Sequence, residues 1–546
     1  MADKNNAPRI VNAQGQPFAP SRAQALAGGS NIPRDAAGYD DPHLAEWNPM
    51  LWGGDAGTNI WRDRITSRVR DLVNNDGWAS GVVTRVLDNA IGAAFRPISK
   101  PDYRTLARLT GNAAFDATWA EEYGAAIDAY YRTWADCQGR YCDLSRQQTM
   151  AQMCFLGFRH KLVDGDALAQ LHWRADRIGY GRARYATTVQ VIDPDRLSNP
   201  SNTFDQRTLR GGIRIDVDTG EAMAYNIRQA HQTDWYTADR ALTWAEVPRE
   251  TAWGRPIIVH DFDREQAGQH RGVGILAPVV RRLKALIKYD TAELDAAILN
   301  AIFSAYITSP FDADLVEEAL SDGEKLNAYQ QMRTDFHAAK KLSLGGARIP
   351  VLTPGEDIKT VSGGRPVSNF VAFESTVLRN VAAAGGVSAQ QVSNNWSDVN
   401  YSSARGALLE AWKTLDRRRD NFAIGFAAPV RSAVLEEIHE VEALPLPKGA
   451  PDFAEARAAY ARAIWMGPAR GWIDPTGERE GAVLGMEAGL STLEQEAAAQ
   501  GLDYIENLDQ RAREKAAFEE RGLEPPASWL QTRPTGNDRM QERTPS

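Results

Sequence analysis

Cysteine and histidine are both scarce in this chain, three and eight in 546 residues. Cys137, Cys142 and Cys154 cannot all pair within one chain, and C-x4-C without a second pair or nearby His is a poor zinc pattern, so reduced and partly buried thiols are expected. No run of eighteen apolar residues occurs, and the opening M-A-D-K-N-N-A-P-R has no apolar stretch. A membrane-spanning or signal-directed chain is therefore not expected, and the cytoplasm is the expected place of synthesis and assembly. There is no G-x-x-x-x-G-K-[ST] loop and no G-x-G-x-x-G after a strand, so an ATP-driven step would have to come from another protein. Positive charge is also short: 62 Lys and Arg face 71 Asp and Glu, for a net charge of −9. A broad basic grip on nucleic acid is excluded, whereas a neutral passage along which DNA slides is not.

What is present is length and apolar content, 43% hydrophobic residues, enough for about three or four domains. Residues 1–45, rich in Ala, Gly, Pro, Asn and Gln, read as a flexible arm or strap. Apolar spacing then predicts two helices between Ile60 and Ile91 with a break at Asn74-Asn75-Asp76-Gly77, a helix over Phe115–Cys137, and one over Ser145–Asp164 with a Ser cap. From Asp166 to His260 the period moves toward two, and A-L-A-Q-L-H-W, T-T-V-Q-V-I, I-R-I-D-V-D, M-A-Y-N-I and P-I-I-V-H-D-F read as strands, with D-T-G-E as a hairpin. The class is α+β.

A rod follows. From Ile275 to Thr308 no Gly interrupts, Pro278 falls in the first turn, and Leu283, Leu286, Leu294 and Ile298 recur as packing positions of a helix about 50 Å long. Such a rod suits packing against copies of itself. A small unit from Pro310 to Gly364 reads as two helices and short strands, and a helix over Asn369–Ala384 runs back along the rod. A helix over Phe453–Ile464 and a helical array over Ala482–Arg521 are expected before a polar, Pro-rich tail from Pro525 to Ser546.

Between the returning helix and a long basic helix lies V-S-A-Q-Q-V-S-N-N-W-S-D-V-N-Y (Val387–Tyr401), longer than the usual connection of about two to eight residues. Its Asn and Ser side chains offer neutral hydrogen bonds, and Asp398 or Ser402 is placed to cap the next helix. Lys413, Arg417, Arg418 and Arg419 form either a solvated helix face or a phosphate-facing set, since Asp416 and Asp420 lie beside them. Arg281, Arg282, Lys284 and Lys288 at the start of the rod suit either a channel lining or, preferred, ion pairs with Glu and Asp of a neighbouring copy. His260, Asp261, Asp263 and His270 are the residues a divalent metal would need in a nuclease, although their spacing fits no ligand pattern. K-L-V-D-G-D (Lys161–Asp166) imitates a calcium loop but reads as a helix-to-strand turn.

N-Y-S-S-A-R (Asn400–Arg405) followed by L-L-E-A-W resembles the N-Y-S-S-x-R segment of lambda-type tailed-phage portal proteins. In the same order as in that family come R-D-L-V-N-N-D-G-W-A-S-G-V-V-T-R-V-L-D-N-A-I-G (Arg70–Gly92), L-V-D-G-D-A (Leu162–Ala167), V-I-D-P-D-R-L (Val191–Leu197), Q-H-R-G-V-G-I-L-A-P-V (Gln269–Val279), L-T-P-G-E (Leu352–Glu356) and G-W-I-D-P-T-G-E (Gly471–Glu478). The resemblance implies a multidomain portal fold that assembles into a dodecameric ring with a central channel. It divides the chain into an arm (1–45), a wing (46–271), a stem helix (272–308), a small α/β clip (309–365), a return stem helix (366–385), more wing (386–473), a helical crown (474–530) and a disordered tail (531–546). It implies a non-enzymatic conduit at one capsid vertex of the virion, without cofactor or resident metal, through which double-stranded DNA slides. The implied partners are large terminase, head-completion or adaptor proteins, and major capsid and scaffolding proteins. The tunnel loop 387–401 would present Val387, Gln390, Gln391, Val392, Asn394, Asn395, Trp396 and Asn400 to DNA. A metal-dependent nuclease and a ring-forming head-tail adaptor without a gate are the alternatives.

Overall fold

The structure is a computed structural model that describes residues 46–93, 95–303, 331–332, 335, 342–344, 347–349, 367–397, 400–470 and 474–524. The expectations for the arm, the tail and nearly all of 309–365 lie outside the described residues.

Two helices, α1 (Gly54–Asn75) and α2 (Gly77–Ala90), meet at the expected break, where the Asp76 side chain accepts from the Ala79 amide at 2.8 Å and caps α2. Val82, Val83, Val86 and Leu87 of α2 are buried, as the helical spacing requires. Strand β1 (Arg96–Ser99) and helices α3 (Tyr103–Thr110), α4 (Ala117–Ala135) and α5 (Met150–Asp164) follow. The cap of α5 is Thr149, in a reciprocal box with Gln152, and not Ser145. Ser145 is engaged elsewhere, donating to Asp143 at 2.6 Å in a turn whose carboxylate also collects the Gln147 and Gln148 amides.

The strand-rich part comprises β2 (Asp166–Trp173), β3 (Thr187–Ile192), β4 (Leu209–Arg210), β5 (Ile213–Ile215), β6 (Ala222–Arg228), β7 (Trp244–Pro248) and β8 (Ile258–Phe262). They form two antiparallel sheets, ordered β3-β2-β8 and β4-β5-β6-β7. The D-T-G-E turn joins β5 to β6, with the Asp216 amide closing onto the Glu221 carbonyl.

After a 3-10 turn at Ala277–Val279 that holds Pro278, helix α6 (Val280–Phe303) runs to the end of this described stretch. Strands β9 (Leu342–Leu344) and β10 (Ala347–Ile349) pair antiparallel. Helix α7 (Val367–Gly385) returns against α6: the Tyr289 ring meets Phe370 at 5.3 Å and Phe373 at 5.2 Å. The rod therefore has an intrachain partner. Its four packing positions divide accordingly, with Leu283 and Leu286 buried in the core of their own chain while Leu294 and Ile298 are 61% and 47% exposed.

The short helix α8 (Ala389–Ser393) precedes α9 (Tyr401–Phe422), a π turn (Ala423–Ala427) and α10 (Ala428–Val441). Pro429 has no amide hydrogen to continue the α ladder, which accounts for the π turn before it. The helix expected over Phe453–Ile464 is corrected. Only the turn Arg457–Tyr460 is helical, and β11 (Ala463–Met466) pairs with β1, placing Ile464 opposite Ile98 and stacking Trp465 on Phe95 at 5.0 Å. Local periodicity could not show a partner strand so far away in sequence. Helices α11 (Pro475–Glu487), α12 (Leu493–Ala499) and α13 (Tyr504–Glu520) complete the described chain.

One large apolar core joins α1, α2, α4 and α5 to the roots of α6 and α7 and to α10, while a smaller core lies between β2 and the four-stranded sheet. No described helix is long and apolar enough to cross a membrane.

Candidate functional site

The strand-rich part and the root of the rod are joined by a buried network of charges. Gly165 ends α5 at φ +94°, and a Cβ on Gly272 would land on the Gly165 carbonyl, so two glycines are needed for the two backbones to touch. That approach places Asp166 beside the segment leading into α6: its Oδ1 accepts the Gly272 amide at 2.7 Å, and its Oδ2 accepts Arg271 at 2.8 Å and Arg62 at 2.9 Å. His260 Nε2 stands 3.1 Å from Oδ1. Burial alone would raise the Asp166 pKa, but Arg271, Arg62 and His260 outweigh it and hold the carboxyl far below its usual range. Arg271 also donates to the carbonyls of Leu197, Gly211 and Pro194. Two turns along α1 from Arg62, Arg70 binds Asp164 at 2.6 Å, Asp195 at 2.6 Å and Asp193 at 2.9 Å. Four of the quoted motifs thus converge here. The cue in the sequence was a set of charges embedded among Gly and apolar residues, where an unpaired charge is too costly to bury.

At the loop, Gly385 and Gly386 end α7, and Val387 and Val392 turn into the core, 8% and 5% exposed. This corrects the expectation that they face DNA: Val392 belongs to the short helix α8, which sits on α2, and Val387 is buried just before that helix. Gln391 is likewise occupied, closing a capping box with Ser388, and Gln390 is half-buried. Asn394 adopts φ +52° and accepts from Arg85 of α2 at 2.9 Å. Asn395 accepts from the Ser397 amide and hydroxyl, and Asn394, Asn395, Trp396, Ser397 and Asn400 are exposed. The cap of α9 is Asn400, which accepts the Ser403 amide at 2.9 Å. Ser402 is not the cap, and Asp398 lies outside the described residues.

The four basic positions expected to act together on α9 differ. Lys413 pairs with Glu410 at 3.2 Å, and Arg419 pairs with Asp416 at 3.0 Å. Arg418 donates to the Gly385 carbonyl at 2.6 Å, fastening α9 to the end of α7, and burial lowers its pKa. Arg417 is exposed and has no ion pair among the described residues. Arg281, Arg282, Lys284 and Lys288 all lie exposed on α6, and Lys284 reaches Asp71 at 4.0 Å.

His260, Asp261, Asp263 and His270 do not converge on one point. His260 faces Asp166, Asp261 and Asp263 take Lys161 at 2.8 and 3.1 Å, and His270 lies 2.8 Å from Asp55. The hydrogen bond to Asp55 raises the His270 pKa. Asp193, Asp195 and His231 do come within 4.8 Å of one another, but Arg70 already satisfies both carboxylates.

Residues 40–419 match the family described as "Phage portal protein, lambda family". The chain is 31% identical over 507 residues to the "Portal protein" of Escherichia phage N15, covering 90% of this chain and 93% of that one. It is 30% identical to "Portal protein B" of Escherichia phage lambda over 90% and 92% of the two chains. The "Probable portal protein" of Halomonas phage phiHAP-1 is 21% identical over 93% of each. Among solved structures, a chain from the virion of a native gene transfer agent particle has a TM-score of 0.35 and 12% identity, over 88% of this chain and 99% of that chain.

Proposed function

The chain belongs to the lambda family of phage portal proteins, and on that premise we propose that it forms a dodecameric ring at one capsid vertex, a conduit for DNA packaging and ejection without catalysis of its own. One observation supports the reading above others: the loop tip Asn394–Ser397 is neutral and exposed on a body whose paired helices leave Leu294, Ile298 and Val371 uncovered. Neutral hydrogen bonds permit DNA to move, and uncovered apolar positions on a rod call for neighbouring copies. In this reading 46–271 and 386–473 are the wing, 272–308 and 366–385 the stem, 309–365 the clip that meets terminase and then head-completion proteins, and 474–530 the crown. Asn394, Asn395, Trp396 and Asn400 are the loop residues offered to DNA, with Arg417 as an exposed cation of α9 that has no ion pair among the described residues.

Native mass and particle imaging of the purified full chain test it: a closed ring with a channel admitting duplex DNA supports the conduit, and a ring too narrow for DNA leaves only an adaptor. The nuclease reading draws no support from His260, Asp263 and His270, whose partners pull them apart. Cleavage of DNA by the purified ring on adding magnesium would reverse that judgement.

A further inference from the structure

Among the described residues, two of the uncovered apolar features match one another. The first is the segment entering α1, where Trp47, Met50, Leu51 and Trp52 all expose more than half their surface and Leu51 is entirely free. The second is a groove of about 600 Å³ between the end of β2, the 251–257 turn and the C-terminal end of α10, walled by Trp173, Ile178, Trp253 and Val441, all largely exposed, with Glu436 and Glu440 at its edge. Its walls are held in place. The Arg255 guanidinium lies over the Trp173 ring at 5.4 Å, and the Trp253 indole donates to Glu436 at 2.7 Å. Aromatic walls fixed before a ligand arrives lose little freedom when it binds, which is the property of a preorganised pocket.

We propose that the groove receives the Trp47–Trp52 segment of a neighbouring copy, making the wing-to-wing contact of the assembly, an inference that rests on the ring reading above. Three observations favour this occupant. Segment and groove are both open within a single chain, so self-covering is not the arrangement the chain adopts alone. A ring contact is heterologous, joining two different patches of the same molecule, and here are two different patches of one chemistry. Two Trp side chains burying roughly 150–250 Å² each, with Met50 and Leu51 between them, account for a large part of the ~800 Å² per partner of a stable interface.

The test places a photo-crosslinking benzoylphenylalanine at Leu51 in the full chain, irradiates it at assembly concentration, and maps the joined peptides in a mixture of isotopically light and heavy copies. The expected result is a light-to-heavy junction on peptides carrying Trp173, Trp253 or Val441, together with at least a tenfold rise in the assembly concentration for Leu51→Asp or Trp253→Asp. Light-to-light junctions alone, meaning the segment folds onto its own chain, overturn the proposal. Junctions to any other face, with rings intact, overturn it while leaving the ring reading in place. A wild-type chain that stays monomeric at every concentration sinks both. Unchanged far-ultraviolet circular dichroism of the Asp variants guards against misfolding, and if either variant unfolds, the crosslink map alone decides.

Discussion

The Arg271 guanidinium meets the Asp166 carboxylate at 2.8 Å with both side chains sealed from water, at the point where the chain leaves the strand-rich part and approaches α6. Arg62 shares the same carboxylate oxygen, so one acid balances two cations. Breaking a buried pair by removing one partner typically costs about 3–5 kcal/mol, because the remaining charge is left without compensation. Asp166→Asn should therefore lower unfolding free energy by roughly that amount. Asp63→Asn, whose side chain is 90% exposed 3.9 Å from Arg62, should change little. Urea unfolding measures both, and a loss under 1 kcal/mol at Asp166 would show that the network is incidental to stability.

Much of the helical framework could be read from spacing alone, because Val82, Val83, Val86 and Leu87 recur with the helical period and are buried together. The strands at 166–173, 187–192 and 258–262 were legible for the matching reason. The pairing of β1 with β11 was not, since its register is set by residues hundreds of positions apart. At the loop, spacing showed an unusual length but could not distinguish Val392, which faces α2, from Trp396, which faces solvent. The charged network was visible only as motifs, because which acid meets which base depends on the fold that brings Gly165 against Gly272.

On the rod, burial separates folding from association. Leu286 lies in the core of its own chain, so Leu286→Asp should destabilise the monomer by about 3 kcal/mol or more. Leu294→Asp and Ile298→Asp should leave the monomer's melting temperature within a degree or two and prevent association. Sedimentation of the variants tests this, and rings that persist with both substitutions would remove these positions from the subunit contact.

The loop tip should govern DNA and not the fold. Replacing Asn394–Ser397 with Gly-Ser residues while keeping the Ser388–Gln391 box and the Asn400 cap should leave rings intact and reduce the DNA retained in filled capsids. Asn400→Ala is a separate case, expected to cost about 1 kcal/mol through the lost cap of α9. Normal retention with the tip replaced would refute the DNA-facing role.

Arg417 and Arg418 are neighbours in sequence with opposite expected behaviour. Arg418→Ala frees the Gly385 carbonyl and should lower thermal stability without altering how DNA retention responds to salt. Arg417→Ala should leave stability unchanged and make retention less salt-dependent, since one exposed cation no longer faces phosphate. The reverse pattern would place Arg417 in a structural contact and remove it as a phosphate-facing charge.

Acid should weaken the large core through His439, which sits against Phe453 and Tyr460 with the Tyr123 hydroxyl 2.6 Å from its Nε2. Burial holds its pKa down at about 4, against an ordinary 6.5. Between those values the unfolded chain takes up a proton that the folded chain refuses, so stability falls as pH drops from 6.5 toward 4, by up to about 3 kcal/mol. His270 works in the other direction: its pKa is raised by Asp55, so its contribution is full below 6.5 and is lost as pH rises through the raised value. His439→Gln keeps a hydrogen-bonding group for Tyr123 and removes the proton uptake. The variant's unfolding free energy should change less between pH 7 and pH 4.5 than the wild type's, by roughly 2 kcal/mol. Equal slopes in the two proteins would assign the acid sensitivity to other groups, with the carboxylates around Arg62, Arg70 and Arg271 next to be examined.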